Sequence, residues 1–184
     1  MELHEERVSS ETVFEGRIIR VAVDQNRLEN GRVASREIVH HPGGVCVLPV
    51  DGERNCYLVR QFRAPFEKVL LELPAGKLDR AGEDPLEAGR RELREETGAA
   101  AERYYSLGEM YSSPGFCDEV IYLYLATGLD FGESCPDEDE FLAVEKLPLA
   151  ELVGRVLRGE VPDGKTQLAA LKADALLRSG EAVL

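Results

Sequence analysis

The first forty residues alternate between β-branched apolar residues and polar residues. Thr12–Val23 is rich in Val and Ile and is interrupted at Glu15-Gly16, which predicts extended chain with a turn. Asn30-Gly31 is a hairpin signal, and we expect a type I′ turn there because both of its central positions need φ > 0. Val33–Val39 is the returning strand, and Pro42-Gly43-Gly44 ends the unit. The pattern therefore predicts a small antiparallel β-unit.

The rest of the chain alternates apolar strands with turn signals and ends in helices. The predicted strands are Val45–Val50, Asn55–Gln61, Val69–Leu73, Tyr104–Met110, Glu119–Ala126 and Phe141–Lys146. Asp51-Gly52 joins the first two as a hairpin, and Pro74–Glu83 is predicted to be a loop. Two helices are predicted at about Pro148–Arg158 and Lys165–Arg178. This order favours the α/β (α+β) class.

A further helix, over residues 84–97, has clear start and stop signals. Asp84 is a good N-cap, and Pro85 fits the first helical position. Gly98 is placed to end the helix in the left-handed conformation. Gly89 is unfavourable in mid-helix by about 1 kcal/mol relative to Ala. We therefore expect it to mark close packing against a strand.

Composition and charge narrow the classes of protein. Apolar residues make up 43% of the 184 residues, enough for one compact domain with a small appendage. The net charge of −13 opposes binding to nucleic acid or an anionic membrane. No apolar run is long enough to cross a bilayer, and the acidic N-terminus does not resemble a signal peptide, so a cytoplasmic location is the expectation. The cysteines lack metal-binding spacing and are interpreted as small apolar residues or incidental thiols.

Three glutamates form the strongest candidate for chemistry. Glu92, Glu95 and Glu96 follow one another at i, i+3 and i+4, which places them on one face of the 84–97 helix. Like charges at that spacing destabilise a helix, and Arg91 and Arg94 offset this only partly. A hard divalent cation would account for the cost. The alternative is a solvated charged face linked by Arg–Glu pairs.

The segment Gly76–Ala99 resembles the Nudix box, GX5EX7REUXEEXGU, in which U is apolar. Glu83 and the run from Arg91 through Ala99 match its second part, and one extra residue, placed at Arg80-Ala81, separates Gly76 from Glu83. The helix register is unchanged by this insertion. The resemblance implies a Nudix α/β/α sandwich with a mixed sheet, residues 42–184, plus the N-terminal β-unit, residues 1–41.

Two other stretches resemble the ADP-ribose pyrophosphatase subfamily. Gln61-Phe62-Arg63 and Glu72–Gly76 look like its sequence just before the box. Ser113–Phe116, with Pro114 placed 16 residues after Gly98, looks like its signature after the box. The resemblance implies Mg²⁺-dependent hydrolysis of the pyrophosphate bond of ADP-ribose or a related ADP-sugar, giving AMP and a sugar phosphate. Mn²⁺ is the alternative ion.

The resemblance also implies roles for individual residues. Glu92 and Glu96 would be the principal metal ligands, Glu95 a further ligand or bridge, and the Ala75 carbonyl an additional ligand. The general base would come from Glu138 or Glu140, whose alternative is a solvated acidic loop. Arg63 would bind the diphosphate through its planar donor fork, with an ion pair to Glu72 as the alternative. The implied substrate-binding residues are Arg63, Glu72, Gly76, Pro114, Gly115 and Phe116.

Other functions and assemblies remain open from the sequence. The same chemistry could act on another nucleotide sugar such as GDP-mannose. A catalytically silent Nudix domain that senses a nucleotide belongs to a different class, and the complete set of box glutamates argues against it. The subfamily resemblance implies a homodimer formed through residues 1–41, with neither nucleic acid nor membrane as a partner.

Overall fold

The computed structural model describes residues 3–78, 82–135 and 141–184. Its contacts group into two compact units. Unit 1 is the chain up to Gly43 together with Tyr111–Val120, and unit 2 is Gly44–Met110 together with Ile121–Leu184. No local sequence signal assigned Tyr111–Val120 to the N-terminal unit.

Unit 1 contains the antiparallel β-unit that the sequence predicts. Its strands, which pair in the order β1-β2-β3, are β1 Glu6–Glu15, β2 Arg20–Arg27 and β3 Val33–His40. The hairpin turn between β2 and β3 lies at the predicted position, but the expected type I′ geometry is wrong. Gly31 has φ 79°, Asn30 has no positive φ, and the Gly31 N–H donates to the Leu28 carbonyl at 2.9 Å. A longer loop with a single left-handed glycine therefore closes the hairpin.

Unit 2 is built on a mixed sheet. Its strands are β4 Gly44–Val50, β5 Asn55–Arg63, β6 Lys68–Glu72, β7 Ala75–Lys77, β8 Ala99–Tyr111, β9 Val120–Phe131 and β10 Leu142–Pro148. Its helices are α1 Pro85–Thr97, α2 Leu149–Leu157 and α3 Gly164–Ser179, with a 3₁₀ turn at Ala64–Phe66. The strand order is β10-β5-β4-β9-β8, with β6 paired to β5 and β7 paired to β4. Strands β4 and β9 are parallel, whereas β4 and β7 are antiparallel.

The centre of unit 2 is β4, whose residues are all buried. Val45 and Val47 face α1, where their methyl groups lie 3.1 and 3.0 Å from the position of a Cβ built on Gly89. Cys46 and Leu48 face the other way, into the core cluster that contains the buried residues of α2 and α3. Helices on both faces of the sheet confirm the predicted α/β/α sandwich and explain why β4 is a continuous apolar run.

The largest local difference from the sequence-based expectation is β7. Its residues fall inside the segment predicted to be a loop, yet they pair with β4 in the register Cys46↔Ala75 and Val45↔Gly76. Nothing in the short sequence Ala-Gly-Lys favours a strand, so the pairing is a consequence of the backbone groups that β4 presents. Among the helices that the structure describes, none has the length and apolar character needed to cross a membrane.

Candidate active site

Helix α1 holds the three glutamates, and its ends are fixed as the sequence predicts. The Asp84 carboxylate accepts hydrogen bonds from the Leu86 and Glu87 N–H groups at 2.9 and 3.1 Å. Gly98 has φ 72°, and its N–H donates to the Arg94 carbonyl. The expected close contact at Gly89 is also confirmed, because a side chain there would collide with β4. The glycine therefore lets α1 approach the sheet closely.

Glu92 and Glu96 lie one turn apart on the face of α1 that meets β7. Their exposed fractions are only 7% and 4%, so the alternative of a solvated charged face does not describe them. The Ala75 N–H donates to Glu96 Oε2 at 3.2 Å. A Cβ on Gly76 would lie 2.0 Å from the carboxyl carbon of Glu92. The absence of a side chain at Gly76 therefore creates the space that the Glu92 carboxylate occupies.

Arg91 organises the remaining acidic groups of the helix. Its Nη1 lies 2.7 Å from Glu92 Oε1 and 3.0 Å from Glu95 Oε2. Its Nε is 3.7 Å from Glu83 Oε1, so Glu83 supports the helix from its start. Burial lowers the pKa of the Arg91 guanidinium, but the carboxylates of Glu92 and Glu95 hold this pKa above its usual value. Arg91 thus contacts the carboxylates of Glu83, Glu92 and Glu95.

The donor set at α1 and β7 fits a hard divalent cation. Two buried carboxylates lie one helical turn apart beside the Ala75-Gly76 backbone, and Arg91 contacts one of them, Glu92. All of these donors are oxygen atoms, which Mg²⁺ and Mn²⁺ prefer. Within the described ranges, no three His, Cys, Asp or Glu side chains already converge on one metal-binding point.

A second charged cluster lies at Glu72, at the end of β6. Arg63 donates to it in a bidentate pair, Nε to Oε1 at 2.7 Å and Nη2 to Oε2 at 2.8 Å. This geometry is the ion pair that the sequence left open as the alternative role of Arg63. Glu72 is 2% exposed. Burial alone would raise the pKa of its carboxyl, but Arg63 and Lys165 together hold that pKa below its usual range.

Lys165, at the start of α3, is a member of this cluster that the sequence did not reveal. Its ammonium group contacts Glu72 Oε2 and lies 2.9 Å from Asp163 Oδ1. Asp163 in turn accepts the Thr166 N–H at 3.0 Å as the N-cap of α3. The Thr166 hydroxyl accepts the Leu73 N–H at 3.0 Å. Helix α3 is therefore tied to the segment that leads into Ala75 and Gly76.

Ser113–Phe116, the stretch that resembles the subfamily signature after the Nudix box, lies in unit 1. The Val39 N–H donates to the Phe116 carbonyl at 2.7 Å, which attaches this segment to β3. His40 Nδ1 lies 2.5 Å from the Asp118 carboxylate. A cavity of about 350 Å³ opens in this unit. It is lined by Ile38, Tyr111, Pro114, Phe116, Cys117, Asp118, Glu119 and Val120.

The predicted general bases, Glu138 and Glu140, lie outside the described residues. The chain on both sides of them is described. The Cys135 N–H donates to the Glu95 carbonyl of α1 at 3.0 Å. Leu142 pairs with Gln61 at the start of β10. The last described residue before this gap is therefore bonded to α1, and the strand after it pairs with β5, which ends at Arg63.

Comparison with known families agrees with this geometry. The NUDIX domain family matches residues 40–171. A second family, the nucleoside diphosphate sugar hydrolase N-terminal domain, matches residues 5–39. The first match spans most of the chain, and the chain belongs to the Nudix family.

Several curated relatives are similar over most of their length. An ADP-ribose pyrophosphatase of Bacillus subtilis is 41% identical, and the match covers 91% of each chain. A methanol dehydrogenase activator of Bacillus methanolicus is 42% identical over 90% of each chain. A GDP-mannose pyrophosphatase of Yersinia enterocolitica is 33% identical over 71% of this chain and 73% of its own. A solved structure of an ADP compounds hydrolase has a TM-score of 0.85 and 23% identity over 100% of both chains, a likeness that shows the fold.

Proposed function

We propose that this protein hydrolyses the pyrophosphate bond of ADP-ribose or a related ADP-sugar, producing AMP and a sugar phosphate. The observation that carries the proposal is the buried pair Glu92 and Glu96, packed against the Ala75-Gly76 backbone. Relatives described as ADP-ribose pyrophosphatases are 41% identical to the chain. Family membership and the glutamate geometry support the reaction type, and these relatives support the substrate.

Each residue of the site has a distinct task in this proposal. Bound Mg²⁺, or Mn²⁺, would neutralise the diphosphate and acidify the attacking water. Glu92, Glu96 and the Ala75 carbonyl would hold the metal, with Glu95 as a further ligand. Arg91 keeps Glu92 and Glu95 in place through its short contacts with both. The outer edge of the Arg63 guanidinium would meet the diphosphate, since Glu72 engages only Nε and Nη2.

We assign the general base to Glu138 or Glu140. Glu138 follows Cys135, which is bound to the Glu95 carbonyl, by three residues. The base would take a proton from water as the water oxygen attacks phosphorus and the bridging P–O bond breaks. Glu138→Gln and Glu140→Gln would distinguish the two candidates, because only the base variant should lose turnover across the whole pH range.

The cavity in unit 1 is suited to an aromatic ligand. Tyr111 and Phe116 are 60% and 55% exposed, and a purine ring stacks favourably on such exposed rings. We infer that the adenine moiety contacts this cavity, whose wall includes Pro114. GDP-mannose is the second candidate substrate, because a relative with that activity in its description matches most of the chain at 33% identity.

A substrate panel tests the proposed function. We expect selective release of AMP from ADP-ribose when nucleotide sugars and dinucleotides are each supplied with Mg²⁺, because relatives described as ADP-ribose pyrophosphatases are 41% identical to the chain. The measurement is the nucleotide released, separated by chromatography. Turnover of GDP-sugars alone would favour the second candidate. No turnover of any compound would favour a nucleotide sensor and overturn the proposal.

We also propose that the protein is a homodimer formed through residues 1–41. Every residue of β1 is exposed, and β1 is an edge strand of its three-stranded sheet in the part of the chain that the structure describes. Unit 1 also exposes several large apolar side chains: Val8, Val13, Phe14, Ile18, Ile19 and Val33. A second copy would cover this surface.

We also propose that the protein is located in the cytoplasm. The free state of all four cysteines suits that reducing compartment.

The dimer has its own test. The double variant Val13→Asp, Phe14→Asp should convert the protein to a monomer, because two carboxylates cannot be buried in an apolar interface without a large cost. Light scattering after gel filtration measures the mass. Val144→Asp is the matched control, since Val144 is also exposed but lies on β10 of unit 2. A wild-type protein that is monomeric and fully active would contradict this proposal.

A further inference from the structure

The carboxylate of Glu72 binds two cations at once. Arg63 takes both of its oxygen atoms, and Lys165 contacts one of them. One buried carboxylate needs a single positive charge for neutrality. The second cation is balanced by Asp163, so the four side chains form a neutral network.

The network connects two parts of the chain that both matter for the proposed site. Arg63 ends β5, and Glu72 lies three residues before Ala75. Lys165 is at the first turn of α3, with its side chain only 12% exposed. Arg63 is more accessible, with 37% of its side chain exposed. The edge of the guanidinium formed by Nε and Nη2 is therefore fixed by Glu72. The opposite edge, which we call the outer edge, is accessible to a ligand.

We propose that Lys165 is a positioning residue of the hydrolase site. It holds Glu72 in place, and Glu72 holds the Arg63 guanidinium in the orientation in which its outer edge meets the diphosphate. This inference rests on the proposed function. It adds a residue from the C-terminal helix, distant in sequence from the Nudix box, to the groups that determine how tightly substrate binds.

Two observations support action through Arg63. The hydrogen bonds that Arg63 donates to Glu72 raise the pKa of the guanidinium, burial lowers it, and the charge of Glu96 adds to the increase. Arg63 thus lies within electrostatic range of a catalytic glutamate. The Lys165 ammonium group also contacts both the Glu72 carboxylate and Asp163, the N-cap of α3. Removing this group releases Glu72 to rotate with Arg63 attached.

A double-mutant cycle tests the proposal. We expect Lys165→Met to raise KM for the substrate roughly tenfold, the size of one lost hydrogen bond to a charged group, with a smaller change in kcat. In an Arg63→Ala background the same substitution should change KM less than about twofold, because the residue through which it acts is already absent. Lys165→Arg, which keeps the charge, should restore part of the loss. The substrate used is whichever nucleotide sugar the wild-type protein turns over fastest.

Controls separate positioning from a general loss of stability. Lys172→Met removes an ammonium group from the same helix, one that donates to the Leu107 carbonyl outside the network, and KM should stay unchanged. Thermal unfolding is followed for every variant, and calorimetric titration of substrate in EDTA gives a dissociation constant independent of turnover. Equal losses from Lys165→Met with and without Arg63 would overturn the proposal. Inactive wild-type protein with intact, Lys165-dependent binding would refute only the proposed hydrolysis.

Discussion

Glu96→Gln should abolish most turnover without unfolding the protein. The substitution keeps the size of the side chain and an oxygen that can accept the Ala75 N–H, but it removes the negative charge needed to hold a divalent cation. A metal that stabilises a phosphoryl transition state contributes several kcal/mol, so we expect kcat to fall by about 10²–10³-fold. Steady-state kinetics over a range of Mg²⁺ concentrations measures the loss and any rise in the concentration required.

The control for this prediction is Glu87→Gln. Glu87 is on the same helix, but its side chain is 69% exposed and pairs with Arg90. It should retain normal turnover. The thermal midpoint of Glu96→Gln should stay close to the wild-type value, because the amide keeps the size of the side chain and an oxygen that accepts the Ala75 N–H. Near-normal activity of Glu96→Gln at low Mg²⁺ would refute the metal assignment.

Gly76→Ala should inactivate the protein almost as strongly, although it adds only one methyl group. The new Cβ would lie 2.0 Å from both the carboxyl carbon and Oε1 of Glu92. A carboxylate is the far end of a flexible side chain, so it can move away at little cost to folding. A displacement of about 1 Å at a catalytic group costs on the order of 100-fold in rate. We therefore expect kcat to fall by about that factor while circular dichroism stays unchanged.

Gly52→Ala is the matched control for Gly76→Ala. Gly52 lies in the β4–β5 turn, has no heavy atom within 4 Å of an added Cβ and has no positive φ. Its variant should therefore keep full activity. If Gly76→Ala were fully active, the Glu92 carboxylate would not need its present position, and the contact between β7 and α1 would not define the site.

Much of the site could be predicted from the sequence because it depends on hydrogen bonds and residue spacings within a few positions. Asp84 and Gly98 fix the ends of α1 through bonds to groups two to four residues away. The spacing of Glu92, Glu95 and Glu96 then determines their common face by helix geometry alone. The apolar run Val45–Val50 similarly predicted a strand, and β4 lies there, because its length and the turn signal at Asp51-Gly52 are local features.

Tertiary structure decided the features that depend on distant partners. Sequence reasoning treated Arg63 as a substrate ligand or a partner of Glu72, and only the fold shows the bidentate pair together with Lys165. Lys165 lies 93 residues from Glu72, so no periodicity or turn signal connects them. The Gly31 turn is a smaller case, because loop length, not the Asn-Gly pair itself, selected its geometry.

The sequence by itself determined the helix that carries the glutamates, most of the strands along the chain and the Nudix character of the chain. These properties follow from hydrogen bonds and apolar periodicities within a few residues. The fold alone decided that Ala75–Lys77 pairs as a strand, that Glu92 and Glu96 are buried against it, and that Tyr111–Val120 joins the N-terminal unit. Each of these depends on which backbone edge or charged partner a distant segment presents, and that information is absent from any local stretch of residues.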